Sequence, residues 1–211
     1  MTLNKLAQIF TTASSYKVEL FYSEWMKSAE AFGVTTKHHE DMLLATILHE
    51  VGTDLVAKRE NLNYTPSSLR STFSRYKNNP NWSERDGRTD KHVANQVNIG
   101  NVAYADRLGN GSIDSGDGYK FRGGSYIQTT GRYNWEQSAS TISMLTNTYL
   151  GAENLEEESS TVVVGLLMTF AFFFDNNIAD CPDMDCCTDN VNYHTSSRDA
   201  RNTSYNTISK L

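Results

Sequence analysis

Glu50 and Glu60 stand ten positions apart and carry side chains suited to acid–base chemistry. Leu43, Ile47 and Glu50 fall at i, i+4 and i+7, so a helix over residues 37–50 puts them on one face. Glu50 then ends an apolar stripe, where loss of solvent favours the protonated carboxyl. The last helical turn adds a macrodipole that disfavours negative charge. Both effects suit a general acid. Glu60 follows Lys58 and Arg59, and nearby cations favour an ionised carboxylate. Two carboxyls pushed in opposite directions make an acid and base pair. A metalloprotease reading of His49-Glu50 fails, because the position four residues after His49 is Thr53.

The elements that must carry these groups are mostly helical. Residues 17–33 read as an amphipathic helix closed by Gly33. Thr35 or Thr36 caps the next helix, from Lys37 to Glu50. A short helix over 65–76 has Pro66 near its first position. The polar stretch 78–90 reads as loop, and 92–102 as helix. Residues 109–125 are rich in glycine and read as loop and tight turns, with at most a hairpin near Tyr119–Gln128. Residues 131–150 and 158–175 read as helices, the second apolar almost all round. The polar tail over 176–211 shows no clear pattern. The fold class is mainly α with long loops.

Composition narrows the function classes. Charged residues are 21% and aromatic residues 11% of 211, which is a globular composition. A net charge of -6 gives no basic face for nucleic acid. It gives no general attraction to an anionic surface either, so affinity for one would have to come from a specific groove. The N-terminus lacks the apolar run of a secretory signal. The apolar run over 161–174 is shorter than the ~20 residues of a membrane span and reads as a core helix. Cys181, Cys186 and Cys187 are an odd set within seven residues. They form no disulfide framework and point to a reducing compartment. A zinc site from these thiols with His194 is the less favoured alternative. DSGDG (114–118) resembles part of a calcium loop, but its twelfth position is Ser125 rather than Glu, so it reads as a turn. Trp25 reads as core, Trp135 as either core or sugar platform, and Lys37-His38-His39-Glu40 as a solvated helix start.

Three blocks then speak together: ILHEVG (47–52), ENLNYTPSSLRSTF (60–73) and RLGNGSIDSGDGYKFRGGSYIQTTGRYNW (107–135). In order and spacing they resemble the signature blocks of phage endolysins in the family 19 chitinase-like group of glycoside hydrolases. The resemblance covers roughly residues 20–180. It implies a mainly α, lysozyme-like α+β fold with at most a small hairpin and a deep substrate cleft. It also implies one catalytic domain over 1–211, with two lobes flanking the cleft as a variant of that picture and no separate wall-binding domain.

Carried over position by position, the general acid falls on Glu50, the second glutamate on Glu60, and a water-holding hydroxyl on Thr130. Gln128, Tyr133 and Asn134 match groove positions. VNYHTSSRDAR (191–201) aligns with a further segment and adds Asn192 and Arg201. Three departures stand out. Val51 replaces a small residue, RGGS (122–125) replaces RGRG, and NYH (192–194) replaces NGG. Trp135 also stands where the family has Tyr.

The implied activity is inverting hydrolysis of β-1,4 bonds in bacterial peptidoglycan. The carboxyls would then lie ~6.5–9.5 Å apart, against ~5–5.5 Å for a retaining enzyme. The implied partner is the glycan strand, with no cofactor, no bound metal, no nucleic acid and no stable membrane insertion, in a monomer. As a phage lysin, the chain would wait in the host cytoplasm and reach the wall through a holin-type pore. The alternatives are a chitinase acting on N-acetylglucosamine polymers, and a virion- or tail-associated protein that keeps the fold with weak or no activity.

Overall fold

The computed structural model describes residues 1–192 and 195–211. The described residues are mainly helical, and their β content is one isolated antiparallel bridge between Gly124 and Thr129. The helices in chain order are α1 (Leu3–Ile9), α2 (Ser15–Ser28), α3 (Lys37–Val51), α4 (Pro66–Thr72), α5 (Ser74–Asn78), α6 (Pro80–Asp86), α7 (Gln96–Tyr104), α8 (Asp117–Lys120), α9 (Arg132–Thr146), α10 (Ala152–Glu158), α11 (Val162–Asp175), α12 (Met184–Asn192) and α13 (Arg198–Ile208). None of these is long and apolar enough to cross a membrane.

The chain divides into two compact units. The first holds residues 1–58, 125–128 and 138–211, and the second holds 59–124 and 129–137. In the first unit α2 packs on α11, and α3 packs on α13. Phe21, Trp25, Phe32 and Phe170 form a chain of ring contacts with centroids 5.1–5.7 Å apart. Trp25 is therefore core, as its helix position suggests. In α11, residues 164–171 and Phe173 are all buried, which explains its apolar surface all round. In the second unit Leu62, Leu69, Tyr76, Ile99 and Val102 form the core, with Tyr64, Phe73 and Trp82 packed against it.

Local chemistry sets several boundaries. The Thr36 hydroxyl accepts from His39 N at 3.2 Å and caps α3. Gly33 closes the α2 region in the left-handed conformation, and Pro66 opens α4 at its first turn. In the second unit α7 and α8 cross at two glycines. A Cβ on Gly118 would lie 2.3 Å from the Gly100 carbonyl, so only glycine allows that approach.

The structure corrects four expectations. Residues 80–86 are helical, not loop. This helix has no apolar stripe; its buried residues are Ser83 and Asp86. It is held by Arg70 donating to Ser83 Oγ at 2.6 Å and Tyr76 donating to Asp86 Oδ2 at 2.9 Å. The tail is ordered into α12 and α13, both strongly polar. The start of α3 is not simply solvated: His38 Nδ1 lies 2.7 Å from Tyr205 Oη, and Glu40 takes the N-terminal ammonium at 2.7 Å.

The fourth correction is a disulfide joining Cys181 to Cys186, with Cα atoms 5.4 Å apart. Adjacent residues on α12 point about 100° apart. Cys186 therefore faces Cys181 while Cys187 turns into the core beside Thr46, at 3.6 Å. An odd count excludes a full framework but not one bridge. The zinc alternative loses two of its thiols to that bridge, and His194 lies outside the described residues.

In the second unit two buried carboxylates are ionic anchors. Asp117 accepts from Arg132 Nη2 at 2.5 Å and from Gly111 N at 2.9 Å. The Arg132 hydrogen bond holds its carboxyl below the usual range, against burial. Burial pushes Asp86 up, but hydrogen bonds from Arg85, Asn98 and Tyr76 outweigh it and leave it lowered. A depressed carboxyl stabilises the fold above its unfolded value, near 3.8, and that stability goes as pH falls through the lower folded value. The thermal midpoint of the protein is therefore expected to drop steeply below pH ~4. Asp117→Asn should lower the midpoint at pH 7 and flatten the acid dependence, both read by calorimetry. An acid dependence unchanged in the variant would remove Asp117 as its source.

Candidate functional site

In the first unit the relevant carboxylate is Glu50, in the last turn of α3. Leu43 and Ile47 on the same face are buried, so the stripe read from the sequence is present. The environment of Glu50 differs from the one expected. Arg201 on α13 donates through Nη2 to Glu50 Oε1 in a short ion pair. The Arg201 side chain is 1% exposed and that of Glu50 is 22% exposed. Arg201 Nε donates to Ser197 Oγ at 3.2 Å, and its Nη1 has no hydrogen-bond partner among the described residues. Solvent loss and the helix end alone thus do not describe Glu50, because a cation buried beside it is the larger local charge. Next to it, burial first and then the Arg201 charge push the His49 imidazole below its ordinary range, against the pull of Glu50. His49 is accordingly a neutral neighbour at pH 7.

The other first-unit positions are placed as follows. Gln128 takes a left-handed backbone, φ 58°, and its Nε2 donates to the Lys58 carbonyl at 2.8 Å. Asn192 is exposed at the end of α12. Arg201, matched by the sequence to a sugar-lining position, is buried against Glu50.

In the second unit the carboxylate is Glu60. Its main chain is held on both sides: its N–H donates to the Gly123 carbonyl at 2.8 Å, and its carbonyl accepts from Arg122 Nε at 3.2 Å. Its carboxylate accepts from the Tyr104 hydroxyl, with the two oxygens 2.7 and 2.9 Å away. The cations expected to govern it are engaged elsewhere as well. Lys58 lies 3.5 Å from Asp54, and the Arg59 guanidinium donates to the Lys120 carbonyl and stands 4.7 Å over the Trp135 ring. Tyr104 was not visible as a site residue, since nothing local to Glu60 points to a phenol 44 positions later.

Thr130 is fixed by its neighbours. The Thr129 carbonyl accepts from Trp135 Nε1 at 3.0 Å and from Gly124 N at 3.1 Å. The Thr130 carbonyl accepts from Asn134 Nδ2 at 2.8 Å. Gly131 follows at φ 92° and donates to the Phe121 carbonyl at 2.7 Å. The pair Gly123-Gly124 therefore stitches Glu60 on one side to Thr129 on the other. Asn134 spends its side chain on this turn, and Tyr133 is 62% exposed.

The altered RGGS segment has a physical reading here. A Cβ on Gly124 would come within 2.8 Å of the Trp135 ring. Trp135 is fully buried, which makes it core rather than a sugar platform. The larger ring at 135 and the glycine at 124 are matched to each other, and an arginine at 124 would need the ring to move. The DSGDG turn is likewise structural, because Asp117 is committed to Arg132. Among the described residues no group of three or more His, Cys, Asp or Glu is arranged to hold a metal.

No family model matches the chain. A protein of Haemophilus influenzae described as a "Glycosyl hydrolase family 19 domain-containing protein" is 34% identical over 135 residues. The match covers 64% of this chain and 64% of that protein's length.

Proposed function

We propose that this chain is a glycoside hydrolase of the family 19 type, acting on β-1,4-linked N-acetylglucosamine-containing glycan. Three strands of support converge on it: the ILHEVG, ENLNY and IQTTGR motifs, the mainly helical fold, and the likeness to the Haemophilus protein. The observation that carries the reading is that both motif glutamates have specific partners. Glu50 is held by a buried arginine and Glu60 by a phenol and a two-sided main-chain clamp.

In the proposed mechanism Glu50 donates a proton to the glycosidic oxygen. Arg201 fixes Oε1, so the proton is carried on Oε2. Glu60 removes a proton from the attacking water, with Thr130 helping to hold that water. Inversion at the anomeric carbon follows. Gln128, Tyr133, Asn134 and Asn192 are the proposed sugar contacts, and Arg201 acts on substrate through Glu50.

The proposed substrate is peptidoglycan, cut between N-acetylmuramic acid and N-acetylglucosamine, and the proposed setting is lysis of a bacterial host by a phage. There the protein would work as a monomer on the wall after release from the cytoplasm. The chitinase alternative shares the bond type. It predicts cleavage of N-acetylglucosamine oligomers without the lactyl ether and peptide. Mass analysis of muropeptides after digestion decides: a new reducing end names the bond cut, whereas intact peptidoglycan with degraded oligomers selects the chitinase. Failure on both substrates would leave the binding-only alternative.

Thr130→Ala is expected to slow turnover about 10-fold, the low end of what a group assisting proton transfer contributes. Its thermal midpoint should stay within a few degrees, because a half-buried hydroxyl is worth about 1 kcal/mol. An unchanged rate removes the water-holding role.

A further inference from the structure

We infer that Tyr104 is a positioning residue for Glu60, holding the plane of its carboxylate so that it faces the attacking water. The inference rests on the hydrolase reading above and extends it to a residue that no motif marks. Tyr104 is the last residue of α7, and its main chain is tied down: its carbonyl accepts from Asn110 Nδ2 at 2.9 Å. The next carbonyl, of Ala105, accepts from Arg75 at 3.1 Å. The ring packs edge-on against Phe73, with centroids 6.1 Å apart. The hydroxyl thus has a fixed position before any substrate arrives.

Its distances to the two Glu60 oxygens are 2.7 and 2.9 Å. Near-equal distances single out neither oxygen. One hydroxyl proton shared between them resists rotation of the carboxylate and leaves each oxygen further acceptor capacity for water. The direction of donation is also set. Burial first, then the Glu60 charge and hydrogen bond, push the Tyr104 phenol far above its ordinary range. The phenol therefore keeps its proton and can only donate toward the carboxylate. Tyr64 faces the same carboxylate and is raised in turn, by burial and then by the Glu60 charge. Arg107 acts on Tyr104 in the opposite sense, and Arg122 holds the Glu60 carbonyl.

Tyr104→Phe isolates the hydroxyl, because phenylalanine keeps the ring contact with Phe73. Kinetics on purified peptidoglycan and on N-acetylglucosamine oligomers should show kcat lowered about 10- to 100-fold, the worth of one hydrogen bond to a charged group. KM should stay within about twofold, as expected for an interaction felt in the transition state only. A merely structural tyrosine would lower the thermal midpoint without this split between kcat and KM. An active wild type whose folded Tyr104→Phe variant keeps its kcat overturns the positioning role alone. A folded wild type inactive on both substrates overturns the hydrolase reading and this role with it.

Discussion

Under the proposed mechanism, Glu50→Gln is expected to lower turnover on peptidoglycan by about 10²- to 10⁴-fold, the usual contribution of a positioned general acid. The amide has the shape of the carboxyl but no proton to give to the leaving oxygen. The variant also tests the ion pair. Arg201 is 1% exposed, so its charge stays buried when the anion goes. The amide oxygen still accepts one hydrogen bond, which limits the cost to about 1–3 kcal/mol. Glu50→Ala removes that acceptor too and should cost about 3–5 kcal/mol, the range for orphaning a buried charge. The order of thermal midpoints is thus wild type, then Gln, then Ala. Glu50→Asp separates chemistry from stability. It keeps the charge on Arg201 but withdraws the carboxyl by one methylene, so it should fold well and still lose most activity. Wild-type turnover in a folded Glu50→Gln protein would remove the acid assignment.

The sequence reveals the face of Glu50 but not its partner. Leu43 and Ile47 announce the stripe because apolar residues at helical spacing are what periodicity detects. Thr36, Gly33 and Pro66 announce element ends because their cap and backbone chemistry is local. Arg201 lies 151 positions from Glu50, on a helix whose buried residues are Arg201 and Ile208. A helix that buries an arginine shows no apolar stripe, so neither α13 nor the ion pair is legible. The same reason hides α6, which docks by hydrogen bonds to Ser83 and Asp86 rather than by apolar side chains. Tyr104 was hidden differently. Its helix is legible, but a tyrosine at a helix end looks the same whether its hydroxyl meets water or a carboxylate. The Gly124–Trp135 fit is a property of the folded chain, since in the sequence each change alone looks like a loss.

Glu60→Gln should match the Glu50 variant in size, with kcat down about 10²- to 10⁴-fold and KM little changed. The amide oxygen still accepts from Tyr104, and the main-chain clamp to Gly123 and Arg122 does not involve the side chain. The thermal midpoint should therefore move less than in Glu50→Gln, because no buried cation is left without an anion. What the variant would lose, on the proposed mechanism, is the base that takes the proton from water. The identity of the product makes the test sharp. If Glu60 activates water, the wild-type enzyme releases a reducing sugar of inverted configuration carrying one oxygen from solvent. If Glu60 were instead a nucleophile, the product would keep its configuration through a covalent intermediate. If the sugar's own hydroxyl attacked, anhydro ends would form without water, and the proton removed would be that hydroxyl's rather than a water's. Proton NMR of the first-formed anomer, with muropeptide masses in ¹⁸O-labelled water, separates the three. Anhydro products, or a folded Glu60→Gln enzyme at full rate, would end the water-activating role and turn the same fold toward transglycosylase chemistry.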